Sequence, residues 1–249
     1  INLFFLFLQL MNLVLDIGNT TVRLAIFNNN KIIKNELIHT FSANFLRKFL
    51  STNLEIKNIC VSNTSIKNDF IVSLSKEFKI SYFDIKKISN LPIYSEYQTP
   101  ETLGSDRLAL AIGASLKCPG ENLIIDLGTC ITYDIILANN YIGGQISPGL
   151  KMRLSALHNY TANLPNVDFQ IPEGFLGKNT NDSILIGVYE GVAAEINGIL
   201  QKYKMRYPNI NIILTGGDSQ IFQEKLKNIN FIDPYLLMEG LNYIIASNE

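Results

Sequence analysis

Two aspartate-containing turns, 110 residues apart, are the features of this sequence best suited to chemistry. They lie in LVLDIGNTTVRLAIF, at residues 13–27, and LIIDLGTCITYDIIL, at residues 123–137, which match position for position at one constant offset. In each copy an apolar run stops at an aspartate, Asp16 or Asp126, a glycine follows two positions later, and strand-like sequence then resumes. Each copy therefore predicts a strand, a tight turn and a second strand.

The residues of both turns are suited to binding phosphate. Gly18 and Gly128 let the backbone come close to a ligand, and threonine hydroxyls and exposed N–H groups donate to phosphate oxygens. Because a carboxylate repels phosphate, Asp16 and Asp126 would act through a hard cation, such as Mg²⁺ or K⁺, that takes carboxylate and phosphate oxygens together. A single copy is equally well explained as a hairpin in which Asp and Gly serve turn geometry. The repetition favours two hairpins that hold the polyphosphate of a nucleotide from both sides of a cleft.

A third glycine turn ends a predicted buried strand in ILTGGD, residues 213–218. Gly216 and Gly217 would let a flat ligand or a phosphate approach the backbone at the sheet edge where α/β proteins bind ligands. On its own, this stretch would be interpreted as an ordinary turn between a strand and a helix.

TPETLGSDRLALAIG, residues 99–113, runs from a proline-marked turn into an apolar helical pattern, with Ser105 as the expected N-cap. Asp106 suits the positive end of the helix dipole, whereas Arg107 does not, so an anionic ligand gripped by the guanidinium better explains the arginine. Asp106 would then receive a hydroxyl proton during phosphoryl transfer, for which a carboxylate of ordinary pKa suffices. Without the other motifs, a capping Asp beside a surface Arg would be the simpler interpretation.

Other functional classes find no support in the sequence. It contains no G-x-x-x-x-G-K-[ST], no G-x-G-x-x-G after a strand, no kinase H-R-D or D-F-G, and no G-x-S-x-G. The net charge of -1 provides no broad basic field, so we expect neither a nucleic-acid nor a membrane partner. Three cysteines without metal-ligand spacing indicate a reducing cytoplasm. His39 and His158 have no paired acid in a recognisable spacing, and we interpret both as structural or surface residues.

Length and pattern predict an α/β protein with two similar halves. A typical domain has about 100 to 200 residues, so a repeat of 110 within 249 residues fits two lobes, 11–117 and 118–249. Strands followed by strand–helix alternation indicate sheets with helices on their faces. The expected elements are three-strand meanders over 12–38 and 123–146, helices at 43–51, 69–78, after Pro148 and at 182–207, strands at 58–62, 80–83 and 211–215, and last helices opening at Ser219 and at Asp233-Pro234.

Two segments fall outside this pattern. Residues 158–180 contain two prolines and little periodicity, which predicts a long functional loop. Residues 1–10, INLFFLFLQL, are apolar but lack a basic n-region and a cleavage site and are too short to span a bilayer. We interpret them as a non-native or disordered extension before Met11, with a weak membrane anchor as the alternative.

The ordered set of motifs resembles the type III pantothenate kinases, a branch of the acetate and sugar kinase, Hsp70 and actin superfamily. The similarity covers residues 11–246. It is carried by DIGNT at 16–20, YQTPETLGSDR at 97–107, DLGTCITYD at 126–134, GGQISPGL at 143–150, TANLP at 161–165, GKNT at 177–180, TGGD at 215–218 and DPYLLMEGL at 233–241.

The resemblance implies two ribonuclease H-like, actin-like ATPase lobes, each a mixed sheet opening with a three-strand meander and flanked by helices, with a cleft between them. It implies ATP-dependent phosphorylation of the primary hydroxyl of pantothenate to 4'-phosphopantothenate, the first step of coenzyme A biosynthesis. The implied cofactors are ATP, Mg²⁺ and a monovalent cation, K⁺ or NH₄⁺. A cytoplasmic homodimer is also implied, with each substrate pocket completed by the partner subunit.

The resemblance also implies residue roles. Asp106 is the base, Asp126 binds the monovalent cation, and Asp16 holds Mg²⁺ through water. The implied nucleotide-binding residues are Asp16, Ile17, Gly18, Asn19, Thr20, Thr21, Val22, Arg23, Gly128, Thr129, Gly216 and Gly217. The implied pantothenate contacts are Tyr97, Gly104, Ser105, Asp106, Arg107 and, across the dimer interface, Thr180.

Three other functions were weighed against this one. A catalytically weak relative acting as a regulator would not need Asp16, Asp106, Arg107 and Asp126 together. An actin-like filament protein is disfavoured by the short chain and the GSDR motif. A sugar kinase of the same superfold would lack a dedicated carboxylate clamp.

Overall fold

The computed structural model describes residues 11–18, 21–64 and 69–248. Residues 1–10, and with them the predicted extension, lie outside this range, as do Asn19 and Thr20 of the first turn.

The chain forms two compact units. Of the described residues, the first unit contains those up to Pro92, Gln98–Leu116 and those from Leu236 onwards, and the second contains Ile93–Tyr97 and Lys117–Tyr235. The C-terminal segment from Leu236 thus belongs to the first unit, whereas the division drawn from the sequence assigned it to the second lobe.

The first unit is built on a five-stranded mixed sheet in the order β3-β2-β1-β4-β5. Strands β1, β2 and β3 form an antiparallel meander, and β4 and β5 add to the other side of β1 in parallel. The strands are β1 (Met11–Ile17), β2 (Val22–Asn28), β3 (Lys31–Ile38), β4 (Ile56–Asn63) and β5 (Ser81–Asp84). The helices are α1 (Ala43–Thr52), α2 (Asp69–Glu77), α3 (Ser105–Lys117) and α7 (Leu236–Asn248).

Alternation along β1 explains how helices cover both faces of this sheet. Leu13, Leu15 and Ile17 are buried in one core with apolar residues of α1 and α2, whereas Asn12 faces α7 and bonds to Asn242. Helix α1 begins as predicted, because the hydroxyl of Ser42 accepts a hydrogen bond from Phe45 N at 3.2 Å.

Helix α7 packs on β1 and β4 of the first unit and lies close to α3. A Cβ on Gly240 would lie 2.1 Å from the carbonyl oxygen of Ala109, and one on Gly113 would lie 2.4 Å from that of Leu236. The backbones of α3 and α7 therefore meet at two glycines, where no side chain would fit.

The second unit has a six-stranded mixed sheet in the order β11-β10-β7-β8-β9-β6. Strands β7, β8 and β9 form an antiparallel meander, while β10, β11 and β6 pair in parallel with their neighbours. The strands are β6 (Tyr94–Ser95), β7 (Asn122–Leu127), β8 (Cys130–Leu137), β9 (Asn140–Pro148), β10 (Asn211–Thr215) and β11 (Phe231–Ile232). The helices are α4 (Leu150–Asn159), α5 (Thr180–Arg206) and α6 (Ser219–Phe222).

The two sheets repeat one topology. The order β9-β8-β7-β10-β11 reproduces β3-β2-β1-β4-β5, with the same antiparallel and parallel pairings. This confirms the predicted α/β class, with two similar lobes that each open with a three-strand meander.

The repeat is not in register over all fifteen positions, and that expectation was wrong. In the first hairpin Ile17 pairs with Val22 around a four-residue turn, and Gly18 N donates to Thr21 O at 3.1 Å. In the second, Leu127 pairs with Ile131 around only three residues. The offset is therefore 110 before the turn and 109 after it.

A pair of asparagines, all buried except the half-buried Asn211, marks the same place in both sheets. In the first unit Asn58 donates its side-chain amide to Asn12 at 3.0 Å, across β4 and β1. In the second Asn211 donates to Asn122 at 3.2 Å, across β10 and β7. Each pair lies on directly opposed positions of the central parallel strands, so it ties the entry of one strand to the next.

Residues 160–179 contain no helix or strand, as predicted for a long loop. Leu164, Val167 and Phe169 pack on the core of the second unit, while Phe175 and Leu176 are exposed. Helix α5, which follows, is long and apolar enough to cross a bilayer by length and composition, but half of its most apolar stretch is buried in the unit. It is the central core helix of the second unit, where Val192, Ile196 and others are fully covered.

Candidate active site

Asp16 lies at the end of β1, directly before the first turn, and pairs with Arg23 of β2. The backbone is compact here, because a Cβ on Gly18 would lie 3.3 Å from Thr21 O. Ile17 and Val22 are buried in the core, so they can serve a ligand only through their backbone groups. The structure thus brings Asp16, Gly18, Thr21 and Arg23 together, while Asn19 and Thr20 lie outside the described residues.

The carboxylates of Asp16 and Asp106 are close enough to interact. Burial raises the pKa of Asp16 to about 6, and the negative charge of Asp106 adds to this effect. A hydrogen bond from Ser62 and the charge of Arg23 act in the opposite direction. Two carboxylates that resist ionising together form a site that a cation would stabilise.

The start of α3 fixes Asp106. Its Oδ1 accepts a hydrogen bond from Arg107 N at 2.9 Å, and it would lie only 2.3 Å from a Cβ built on Gly104. Any side chain at position 104 would therefore displace the Asp106 carboxylate, which explains the glycine. Arg107 is 5% exposed, so its guanidinium is buried instead of lying in solvent.

Ser105 does not cap α3, and that prediction was wrong. It is the first residue of the helix, and Gly104 O accepts the first helical bond, from Leu108 N at 3.2 Å. The buried hydroxyl of Ser105 instead accepts from Asn63 N at 2.8 Å and lies 3.1 Å from the Ser62 hydroxyl. Ser105 thereby joins the start of α3 to the end of β4, next to Asp16.

In the second unit, the turn after β7 is enclosed by two glycines. A Cβ on Gly216, whose φ is +92°, would lie 2.3 Å from Asp126 Oδ1. A Cβ on Gly149 would lie 2.3 Å from Gly128 O and 2.5 Å from Thr129 O. Gly149 N also donates to Thr129 O at 3.1 Å. The backbone around Asp126, Gly128 and Thr129 is therefore held from both sides, and the Thr129 side chain is exposed.

The TGGD turn lies beside this segment. Asp218 N donates to Leu127 O at 2.9 Å, which fixes the turn against the end of β7. Burial raises the pKa of Asp218, and the positive charge of Lys151, in the first turn of α4, lowers it in part. Gly217 is exposed and nothing lies within 4 Å of a Cβ built on it, so this residue leaves room for a ligand.

The two remaining predicted substrate residues lie elsewhere in the second unit. Tyr97 follows β6, and its ring lies 6.0 Å from that of Tyr141 of β9, centroid to centroid. Thr180 is the exposed first residue of α5, which Asn179 caps by accepting from Asp182 N at 2.9 Å.

Sequence reasoning missed four residues of these sites. Gly149 and Asp218 lie inside quoted motifs, SPGL and TGGD, which were the available signal. Ser62 and Asn63 carry no such signal, because only the parallel pairing of β4 with β1 puts Ser62 opposite Asp16.

The donor set fits hard cations. Within the described residues no group of three or more His, Cys, Asp or Glu side chains is placed to hold a metal. The Asp16 carboxylate, with the Asp106 carboxylate and the Ser62 hydroxyl near it, suits Mg²⁺, which keeps several waters and takes ligands from substrate phosphates. The Asp126 carboxylate beside the backbone of Gly216 likewise offers only oxygen ligands to a cation.

Comparisons with known proteins agree with this chemistry. A family model described as type III pantothenate kinase matches residues 12–202. A type III pantothenate kinase of Christiangramia forsetii is 41% identical over 250 residues, covering 96% of this chain and 99% of that protein.

Solved structures agree with the fold. A Campylobacter jejuni protein described as a Baf family transcriptional activator superposes with a TM-score of 0.60 at 20% identity, covering 95% of this chain and 98% of that one. An inorganic polyphosphate/ATP-glucomannokinase from Arthrobacter superposes with a TM-score of 0.52 at 13% identity, covering 96% and 99%. At these identities the superpositions support the actin-like ATPase fold alone.

Proposed function

This chain belongs to the type III pantothenate kinase family, which phosphorylates pantothenate in the first step of coenzyme A biosynthesis, and from this membership we propose the roles of its residues. The enzyme uses ATP and a divalent metal. We assign the two compact units as the two lobes of the actin-like fold.

We propose that Asp106 is the catalytic base, which accepts the proton of the primary hydroxyl of pantothenate. The observation that carries this assignment is that the Asp106 carboxylate lies close enough to the Asp16 carboxylate, at the end of β1, to raise its pKa. Arg107 N holds the Asp106 carboxylate by a hydrogen bond, and the absence of a side chain at Gly104 leaves room for it. Asp106 is therefore oriented before substrate binds. Because the proton leaves late in a loose transition state, preorganisation contributes more here than a strongly basic pKa.

Asp16 would hold Mg²⁺ through water. The metal would neutralise negative charge on the phosphates of ATP. Gly18, Thr21 and Arg23 would contact phosphates beside it, with Asn19 and Thr20 of the same turn. In the second unit, Gly128, Thr129, Gly216 and Gly217 would bind ATP, and Asp126 would hold K⁺ or NH₄⁺.

Arg107, with Gly104, Ser105 and Tyr97, would bind pantothenate. A buried guanidinium at the first turn of a helix is suited to a substrate carboxylate, which it can grip with two parallel hydrogen bonds. The buried hydroxyl of Ser105 supports this binding site indirectly, because it holds the start of α3 to the end of β4.

We propose a homodimer in which Thr180 reaches the pocket of the partner subunit. Its exposure at the first turn of α5, and the exposed Ile171, Phe175 and Leu176 just before it, support a surface that another subunit covers. A cytoplasmic location is consistent with three free cysteines, Cys60, Cys118 and Cys130.

The test is an ADP-release assay with purified protein, ATP and pantothenate, with and without K⁺. We expect cation-dependent turnover that Asp106→Asn removes while ATP binding persists. Asp126→Ala should weaken ATP use and abolish the K⁺ dependence. Turnover on sugars but not on pantothenate, or full activity of Asp106→Asn, would refute these assignments.

Sedimentation at micromolar concentration tests the dimer. Thr180→Ala should raise the KM for pantothenate, and the variant should remain a dimer.

A further inference from the structure

Asp134 of β8 is a fully buried carboxylate to which the reaction above gives no role. Its Oδ2 accepts a hydrogen bond from the Thr132 hydroxyl at 3.0 Å, and its Oδ1 accepts one from the Tyr141 hydroxyl at 2.5 Å. Burying a carboxylate is costly unless hydrogen bonds compensate it, so this group is held in one place by its donors.

Tyr141, one of those donors, is itself fully buried. It lies on β9 next to β6, the short strand that precedes Tyr97. Its ring lies against that of Tyr97, with centroids 6.0 Å apart and planes tilted by 58°. Its carbonyl oxygen accepts from Glu96 N at 2.9 Å, and Ser95 pairs with it across β6 and β9. Tyr141 therefore fixes both the backbone next to Tyr97 and the ring on which Tyr97 packs.

We propose that Asp134 is a positioning residue for the acceptor substrate, acting through the hydroxyl of Tyr141 on Tyr97. The contacts run from the buried carboxylate of Asp134, through the buried ring of Tyr141, to the half-buried ring of Tyr97. With the Tyr141 hydroxyl tied to Asp134, the ring of Tyr141 has one orientation, and Tyr97 has one surface to pack on. Asp134 thereby sets where Tyr97 meets pantothenate. This inference rests on the proposed contact between Tyr97 and pantothenate.

Tyr141→Phe tests the proposal, because it keeps the ring and removes only the hydroxyl. We expect the KM for pantothenate to rise roughly 5- to 10-fold, the loss of about one hydrogen bond, while kcat and the KM for ATP change less than about twofold. Asp134→Asn should give a similar split. The double variant should be no worse than the single ones, because both act through one contact.

Tyr133→Phe is the matched control. Tyr133 is the neighbour of Asp134 on the same strand, and its hydroxyl donates to Glu195 at 3.0 Å on another contact path. The same loss of a tyrosine hydroxyl should leave the KM for pantothenate unchanged. If Asp134→Asn fails to fold, Tyr141→Phe and Thr132→Val carry the test.

Tyr97→Ala separates this inference from the assignment beneath it. A raised pantothenate KM in Tyr97→Ala with an unchanged one in Tyr141→Phe would overturn the role of Asp134 alone. An unchanged KM in Tyr97→Ala would overturn both. Equal rises in the KM for ATP and for pantothenate in Tyr141→Phe would show a general structural defect and would also overturn it.

Discussion

The carboxylate of Asp106, at the start of α3, lies near enough to Asp16, at the end of β1, to help burial raise the pKa of Asp16 to about 6. The two acids belong to distant parts of the sequence and meet because β4 pairs with β1 and Ser105 joins α3 to β4. Their repulsion destabilises the ligand-free protein, and bound metal and substrate would relieve it.

Asp16→Asn should stabilise the nucleotide- and metal-free protein while it abolishes activity. The folded protein binds the Asp16 proton more tightly than the unfolded chain does, so the ionised carboxylate opposes folding as pH rises from about 4 to above 6. Because the side chain is only half-buried, we expect a gain of about 1 to 2 kcal/mol at pH 8. Urea unfolding between pH 4 and pH 8 measures it. The gain should shrink towards pH 4, and a variant less stable than wild type at pH 8 would contradict the prediction.

Mg²⁺-dependent binding of a non-hydrolysable ATP analogue should weaken as pH falls through about 6. Protonation of Asp16 removes its charge, and the wild-type midpoint should follow its pKa. In Asp106→Asn the repulsive neighbour is neutral, so the midpoint should move to lower pH. Binding titrations at fixed Mg²⁺ measure both midpoints, and identical midpoints would exclude coupling between these two acids.

Gly149→Ala should raise the KM for ATP at least about tenfold. The added Cβ would meet Gly128 O and Thr129 O at 2.3 and 2.5 Å, so the turn after β7 must shift. Gly198→Ala is the control, since nothing lies within 4 Å of a Cβ at this exposed position of α5 and helix propensity improves. Steady-state kinetics of both variants with ATP as the varied substrate give the comparison. Unchanged ATP kinetics in Gly149→Ala would mean that Thr129 does not bind the nucleotide.

Glu195→Gln should destabilise the second unit at neutral pH, by about 1 to 2 kcal/mol for a half-buried ion pair. Glu195 of α5 contacts Arg153 and accepts hydrogen bonds from the hydroxyls of Ser147, at 2.6 Å, and Tyr133. Burial raises the pKa of Glu195, but these hydrogen bonds outweigh burial and hold it below its usual value. The stabilisation is therefore fully present above the unfolded pKa of about 4.3, begins to decline as pH falls below it, and is lost as pH falls through the lower pKa of the folded protein.

Glu190→Gln on the same helix provides the comparison for Glu195. Glu190 pairs with Lys225 at 2.6 Å, but both side chains are about 40% exposed, so its replacement should change little. Thermal unfolding of both variants at pH 4 and pH 7 measures the difference. A Glu195→Gln deficit that is as large at pH 4 as at pH 7, or an equal loss in Glu190→Gln, would contradict this account.

Much of the fold was predictable because hydrophobic period and turn residues fix long elements. The strand at 211–215 and the helix from Ala43, capped by Ser42, lie where the pattern predicts them. The two-residue strands β6 and β11 were missed, since a pair such as Tyr94 and Ser95 shows no alternation. Sequence also gives no sign that the segment from Leu236 packs with the first unit, because that depends on glycines 113 and 240 meeting backbone in space.

The site was predictable where a motif repeats and not where it depends on register. Asp16 and Asp126 stand out because each interrupts an apolar run two residues before a glycine, and Asp106 because it lies next to Arg107 at the predicted start of a helix. The partners of Asp16 do not, because Ser62 is opposite it only through strand pairing. Ser105 was assigned to capping, its commonest use before an apolar run, whereas its hydroxyl bonds instead to β4. The one-residue difference between the hairpins is likewise invisible until it is known that Ile17 pairs with Val22 and Leu127 with Ile131.

The return of α7 to the first unit has a consequence for how the protein is made. Most of the first unit precedes the second in the chain, yet Met238, Leu241, Ile244 and Ile245, which are buried in the first unit, follow it. The second unit, Ile93–Tyr97 and Lys117–Tyr235, is synthesised before them. The first unit can therefore complete its core only after the ribosome has made the whole of the second.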